Sequence, residues 1–170
     1  MKRIGKNAVN ISQDPFGNYA ITEILTRWPN QVCMPIFEQL CKNLSELCTQ
    51  KYSSNVLEKC FEFAPDDVRA QYINELVMCE RLPNLIKNSF GNYVIQKSLD
   101  KAQGSEREDL TQAIQKCIPQ IQDRKIRAKW QNIVTKSSQH DTAQLHDGEA
   151  EISPVESKKP YVKKAKNVRY

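Results

Sequence analysis

The sequence predicts an all-α solenoid of stacked helical repeats, and three observations predict it. A segment of the form Phe90-Gly91-Asn92-Tyr93-Val94-Ile95-Gln96-Lys97 occurs again as Phe16-Gly17-Asn18-Tyr19-Ala20-Ile21-Thr22. It returns in altered form as Tyr52-Ser53-Ser54-Asn55-Val56-Leu57-Glu58-Lys59. Aligned on Asn18, Ser54 and Asn92, the copies are spaced 36 and 38 residues apart, a period that marks stacked supersecondary units. Aromatic residues make up 8% of the chain and only five glycines occur, which suits helices and leaves little for a turn-rich barrel or sandwich.

The first copy belongs to a partial unit at 1–29. Ala8-Val9-Asn10-Ile11 reads as the end of a helix. Asp14-Pro15 then reads as the start of another, because Asp caps N-termini and Pro tolerates the first helical position. Ala20, Ile21, Ile24 and Leu25 give that helix its apolar stripe, and Pro29 closes it. The second unit covers 30–64. Ile36, Leu40, Leu44 and Leu47 mark one amphipathic helix, and a second turns Val56, Leu57, Cys60 and Phe61 inward. The third unit, 65–102, repeats the layout through Tyr72, Leu76 and Val77, then Leu82, Leu85 and Ile86, then Phe90, Val94, Ile95 and Leu99. Asn88 stands where Asp14 does in the first copy, whereas Gln50 is a weaker cap.

Residues 103–136 lack the repeated segment. Leu110, Ile114, Cys117 and Ile118 predict a helix that stops near Pro119, and Ile121, Ile126, Trp130, Ile133 and Val134 predict a further divergent pair of turns. Terminal repeats of a solenoid are atypical because one face meets water, so this stretch is expected to be the C-terminal cap. From 137 to 170 the apolar pattern disappears, and a disordered tail is expected. Its end, Lys158–Tyr170, carries six basic residues and no acidic one, which would add salt-sensitive attraction to a polyanion or serve as a nuclear transport signal.

Charge and length bound the function. A chain of 170 residues, 39% hydrophobic, supports one folded region and a tail. The net charge of +5 permits a polyanionic partner without arguing for one. Met1-Lys2-Arg3-Ile4-Gly5-Lys6 opens with charge but leads into no apolar signal core, and no apolar run approaches membrane-spanning length. A soluble, cytoplasmic chain is expected. The six cysteines (Cys33, Cys41, Cys48, Cys60, Cys79, Cys117) include no Cys-x-x-Cys pair, and His140 and His146 lie in the polar tail. Zinc needs converging ligands that this spacing does not offer. The cysteines are expected to be small buried hydrophobes, with no metal and no cofactor.

In each copy the apolar positions are expected to face the core, leaving Asn18/Tyr19/Thr22, Ser54/Asn55/Glu58 and Asn92/Tyr93/Gln96 on the opposite face. Positions i and i+4 share a helix face one turn apart, so each unit would present a polar pair beside one further side chain. Such a pair suits a nucleobase, because amides and carboxylates match base edges and an aromatic ring stacks on a base face.

These segments resemble the RNA-reading helices of the Pumilio-homology (PUF) repeat family over most of residues 7–102. The resemblance implies a right-handed solenoid and single-stranded RNA as partner. It also implies one base per repeat read by two or three side chains, which is a property of the family and not of the spacing. The three units look like the last three of the family's usual eight, followed by its divergent cap. Asn92 and Gln96 resemble a uracil-reading pair with Tyr93 stacking. Ser54 and Glu58 resemble a guanine-reading pair with Asn55 in the stacking place. Asn18 and Tyr19 match a uracil reader again, but Thr22 stands where the family has Gln and is shorter. Family RNA runs antiparallel to the protein, so the implied element is 5′-UGU-3′ in messenger RNA.

The guanine pair also has a chemical argument. Guanine presents two adjacent donors, N1–H and its exocyclic amine, which one carboxylate accepts together. Uracil presents a donor between two acceptors, which an amide meets by donating and accepting. The expected function is therefore sequence-specific RNA binding and post-transcriptional regulation through recruited proteins. The family recruits them on its outer face and at the loop between the last two repeats, placed here at 63–67. The alternative is a short helical scaffold for protein–protein contacts with little RNA binding. No nucleophile–base arrangement supports an enzyme, and no small-molecule substrate or membrane partner is expected.

Overall fold

The computed structural model of the chain describes residues 1–144, with side chains through Ser137. Eleven α-helices occur among the described residues and no strand. They are α1 (Lys2–Lys6), α2 (Ala8–Gln13), α3 (Gly17–Arg27), α4 (Asn30–Lys42), α5 (Leu44–Leu47), α6 (Lys51–Phe63), α7 (Asp66–Val77), α8 (Leu82–Leu85), α9 (Gly91–Lys101), α10 (Gly104–Cys117) and α11 (Arg124–Gln144). A 3-10 turn at Ile118–Gln120 precedes α11.

The helices fall into two stacked rows. In the inner row α3 packs on α6 and α6 on α9; in the outer row α1 packs on α4, α4 on α7 and α7 on α10. The short helices α2, α5 and α8 bridge the rows, and α11 closes the far end against α10 and the 3-10 turn. Each unit thus contacts chiefly its neighbours, as in other solenoids.

The core between the rows is continuous. Phe37, Leu40, Val56, Leu57, Phe61, Leu76, Val94 and Ile95 are all fully buried, each worth roughly 1.5–3 kcal/mol for the larger side chains relative to exposure. Tyr72 ties the layers together. Its hydroxyl donates to the Phe37 carbonyl across 2.7 Å, and its ring meets Phe61 edge-on at 5.6 Å. Trp130 does the same for the cap: it is fully buried, and its indole N–H donates to the Ile86 carbonyl at 2.8 Å.

The cysteines lie where the sequence places them. Cys33, Cys48, Cys60 and Cys117 are buried, Cys41 and Cys79 are half-buried, and all are free thiols. Burial pushes the Cys41 thiol up to about 11 and those of Cys48 and Cys60 up to about 12.

Several boundaries differ from the sequence-based expectation. Ile36 to Leu47 do not form one helix: Asn43 ends α4, its side chain donating back to the Gln39 carbonyl at 2.9 Å, and Leu44–Leu47 turn away as α5. Ala20 is exposed rather than part of the inward stripe. The cap is not a pair of turns but one long helix that continues past 136 to Gln144. Ser137 is buried within it, accepting from Arg107 Nε at 3.0 Å and lying 3.4 Å from the Thr111 hydroxyl. The expected tail from 145 to 170 lies outside the described residues.

The inner helices approach the preceding turn closely enough to select the residue. A Cβ on Gly17 would lie 2.6 Å from the Ile11 carbonyl oxygen, and one on Gly91 would lie 2.9 Å from that of Leu85. The middle copy places Ser53 at the same register, and its hydroxyl donates to the matching carbonyl, Leu47, at 2.8 Å. Glycine fits by absence and serine by bonding. Gly17→Ala should therefore destabilise the chain although alanine is the better helix former. Relief of up to about 1 kcal/mol from propensity opposes about 1–3 kcal/mol of overpacking against backbone. A urea midpoint equal to or above wild type would contradict this.

Candidate nucleic-acid interface

The starts of α3 and α9 are each set by a side-chain cap. Asp14 Oδ1 accepts from the backbone N–H of Phe16 at 2.9 Å and of Gly17 at 2.7 Å. Asn88 Oδ1 accepts from Phe90 and Gly91, both at 2.9 Å. These bonds satisfy amides that would otherwise be orphaned at the helix start. Helix α3 proper begins at Gly17, so Pro15 lies in the capping turn and not at the first helical position. Gln50 makes no such bond, and α6 starts two residues earlier in register, at Lys51.

The cap recurs once more. Asp123 Oδ1 accepts from Lys125 at 2.8 Å and Ile126 at 3.0 Å. Aligning Asp123 with Asn88 makes Arg127, Ala128 and Gln131 the counterparts of Asn92, Tyr93 and Gln96. The terminal helix is thus built like a fourth inner helix, without an aromatic at the stacking place. The spacing of 35 residues between Asn88 and Asp123 carries this relation in the sequence, but the loss of the Phe-Gly-Asn-Tyr segment conceals it.

The expected exposed pairs are only partly exposed. Asn18 and Ser54 are each 3% accessible, and Asn92 is half-buried. Their side chains fold back onto the preceding turn. Asn18 Nδ2 donates to the carbonyls of Asp14 and Pro15, both at 2.9 Å. Asn92 Nδ2 donates to those of Asn88 at 2.8 Å and Ser89 at 3.1 Å, and Ser54 Oγ donates to Lys51 at 3.2 Å. The residues at the other two places do reach the surface: Tyr19 is 72% and Tyr93 56% accessible, Asn55 is exposed, and Thr22, Glu58 and Gln96 are half-buried.

The third triplet is also engaged by the cap. Gln96 Nε2 donates to Asn92 O and Oδ1, both at 3.0 Å. Lys129 of α11 donates to Asn92 Oδ1 at 2.9 Å and stands 5.3 Å from the Tyr93 ring centre. In the middle triplet, burial pushes the Glu58 carboxyl up from the ordinary glutamate value, while Lys97 and Lys59 pull it partly back.

The stretch 63–67 is not a projecting loop. Only Ala64 and Pro65 separate α6 from α7, Ala64 is buried, and Arg69 donates to its carbonyl at 3.3 Å while pairing with Asp66. The longer connection is 78–81, at the opposite end of α7 and before α8, where Met78 is exposed.

The two rows and the three in-register triplets define a helical-repeat protein that presents one side-chain set per unit. A family model described as the Pumilio-family RNA binding repeat matches residues 7–41, 43–77 and 82–115, more than half the chain. The chain belongs to that family, and the connection between its last two matched repeats is 78–81, which replaces 63–67. Pumilio homolog 12 of Arabidopsis thaliana is 41% identical over 114 residues, covering 67% of this chain and 19% of the relative. A Pumilio domain-containing protein of Schizosaccharomyces pombe is 37% identical over 123 residues, covering 72% and 18%. Among solved structures, PUF-8 in complex with PBE-RNA superposes with a TM-score of 0.71 at 24% identity, covering 79% of this chain and 41% of that one. The Puf3 RNA binding domain bound to Cox17 RNA gives 0.68 at 21%, covering 85% and 42%. The chain therefore spans about a fifth of the length of these curated relatives.

The caps carry a pH signature. The Gly17 and Phe16 amides hold the Asp14 carboxyl below its ordinary value, and the Ile126 and Lys125 amides do so for Asp123. A depressed folded value means that the cap's contribution is present above the usual aspartate range and is lost as pH falls through the lower folded value. Amide shifts of Gly17 and Ile126 should move in that acidic window, while Gly91, capped by neutral Asn88, stays constant. Equal titration of all three would show that the caps do not act separately.

Proposed function

We propose that this chain binds single-stranded RNA in a sequence-specific manner, one base per unit, with 5′-UGU-3′ as the preferred element. The observation that carries the proposal is the unbroken packing of α3 on α6 and α6 on α9, which sets Tyr19, Asn55 and Tyr93 at one register on three adjacent helices. The second polar places, Thr22, Glu58 and Gln96, lie one turn further on the same faces. Asn92, Tyr93 and Gln96 take the first uracil, Ser54, Asn55 and Glu58 the guanine, and Asn18, Tyr19 and Thr22 the second uracil with the least grip. The RNA runs antiparallel to the repeats, and the target class is messenger RNA, regulated through proteins recruited at the outer row and the 78–81 connection. Family membership and the likeness to PUF folds solved with RNA support this reading.

A scaffold for protein partners is the second reading. It is favoured by the burial of Asn18 and Ser54, which leaves fewer polar groups for bases, and by exposed Met78.

The decisive variant carries Ser54→Asn and Glu58→Gln together, giving the middle unit the amide pair of the third. An amide cannot accept both guanine donors, and one unpaired donor at a desolvated edge costs about 1–3 kcal/mol. The double variant should prefer UUU over UGU in titrations at one fixed salt concentration. Unchanged preference would remove Glu58 from the reading role, and absence of RNA binding by the folded wild type would put the scaffold first.

Acid should act on the same contact. Guanine needs the Glu58 carboxylate, and burial raises its value. The preference for UGU over UUU should therefore decline with falling pH at values above the ordinary glutamate range. In the Glu58→Gln chain the ratio should stay flat over the same range. A wild-type ratio constant down to pH 4 or so would separate Glu58 from guanine.

A further inference from the structure

The terminal helix carries charge that the three triplets do not use. From Arg124 to Ser137 it holds Arg124, Lys125, Arg127, Lys129 and Lys136 and no acidic residue. Lys129, Ile133 and Lys136 follow one another at helical spacing on one face, and Lys129 and Lys136 lie roughly 10 Å apart along the axis at 1.5 Å per residue. That face looks onto α9. Lys129 stands on Asn92 and Tyr93, in a hollow that Lys87 also lines. Lys136 lines a second hollow shared with Gln96 and with Asp100, the one acid in either lining. Among the described residues no ion pair is formed by Lys87, Lys129 or Lys136. Lys129 instead spends its ammonium on a neutral amide oxygen and a ring.

We propose that the groove between α9 and α11 holds the phosphate backbone of the RNA immediately 5′ of the trinucleotide, through Lys87, Lys129 and Lys136, without reading its bases. The proposal rests on the RNA-reading function above, because antiparallel RNA whose first uracil lies on α9 runs next towards α11. Charge complementarity and direct continuity with the third triplet identify the occupant. Indifference to base follows from the aligned places on α11. Ala128 has no ring to stack, and Arg127 is committed to the Ile121 carbonyl, Nε donating at 2.8 Å. On binding, the Lys129 ammonium exchanges the Asn92 oxygen for a phosphate, a charge-assisted and stronger partner. That exchange frees an Asn92 acceptor beside the first base.

The test uses the full chain and four RNAs: UGU with a short 3′ tail, the same RNA extended 5′ by AAA or by CCC, and the AAA form with neutral methylphosphonate linkages in the extension. Both extended RNAs should bind more tightly than the unextended one, to a similar degree, and the neutral-linkage RNA should lose the gain. With two phosphates engaged and a slope of about 0.7 per phosphate for a single strand, the gain should fall about sevenfold between 50 and 200 mM salt. In the Lys87→Gln/Lys129→Gln/Lys136→Gln variant, the ratio of extended to unextended affinity should approach one. The neutral-linkage comparison on wild type keeps the proposal testable should that variant misfold. Binding of the unextended RNA with no gain from extension overturns the proposal alone. So does a gain that depends on AAA against CCC or survives neutral linkages. So does selective capture of polyglutamate by this groove without competition from RNA, which would assign it to an acidic protein. Failure of every RNA to bind would instead remove the reading function itself, and this extension with it.

Discussion

The structure depends on one small constraint, an Asx side chain that accepts two successive backbone amides. At Asp14, Asn88 and Asp123 it fixes where an inner helix begins, and therefore which residues of that helix point outward. The two glycines that follow Asp14 and Asn88 by three residues let the helix press against the carbonyl six residues back. Cap and close approach together lock the angle between the short helix and the inner helix. Everything at the surface inherits that angle: the tyrosines, the polar residues one turn on, and the place of Lys129. The middle unit reaches the same register by another route, with Ser53 bonding the carbonyl that the glycines merely approach.

Each triplet divides its labour between its two polar places. The first, at 18, 54 and 92, is anchored to the turn before it, and Asn92 has both amide hydrogens and its oxygen already engaged. The second, at 22, 58 and 96, stands nearer solvent and differs in every unit. Variation among the units is thus concentrated where a change costs the fold least, while the anchoring place is held by residues that can bond a carbonyl. Tyr72 has the complementary role at the back. By bonding Phe37 and meeting Phe61 it couples outer helix to outer helix and outer row to inner row, so neighbouring units share one rigid spacing.

The fold was largely legible because its signal is repetition. Three copies of one segment at a near-constant period set the helices in register before any single helix was strong enough to be assigned alone. Apolar positions such as Val56, Leu57, Val94 and Ile95 fell inward as their periodicity required. The misses have local causes. Asn43 carries no strong breaking signal, so α4 and α5 read as one amphipathic run. Ala20 fits an apolar stripe by type but lies on the far side of the helix. The length of α11 was hidden because its polar residues past Val134 follow no apolar period, and its order comes from tertiary bonds at Ser137 and Trp130. At the candidate site, sequence spacing placed the triplets on one face. It could not show that Asn18 and Ser54 turn back to the chain, because Asn and Ser are equally at home on a surface and in a turn. Lys129 was invisible for another reason: it lies in a stretch without the repeated segment, 36 and 37 residues from its partners Tyr93 and Asn92.

The buried thiols have a consequence for how the molecule breathes. Cys48 and Cys60 lie between the rows with their acidity suppressed to about 12, so in the closed solenoid they have neither the thiolate nor the access that alkylation requires. They become nucleophiles only when a unit opens. Cys33, Cys48, Cys60 and Cys117 are buried at different places along the stack, so each is a clock for the opening of its own surroundings. Their labelling rates would order those surroundings from loosest to tightest, along a chain that carries its own probes.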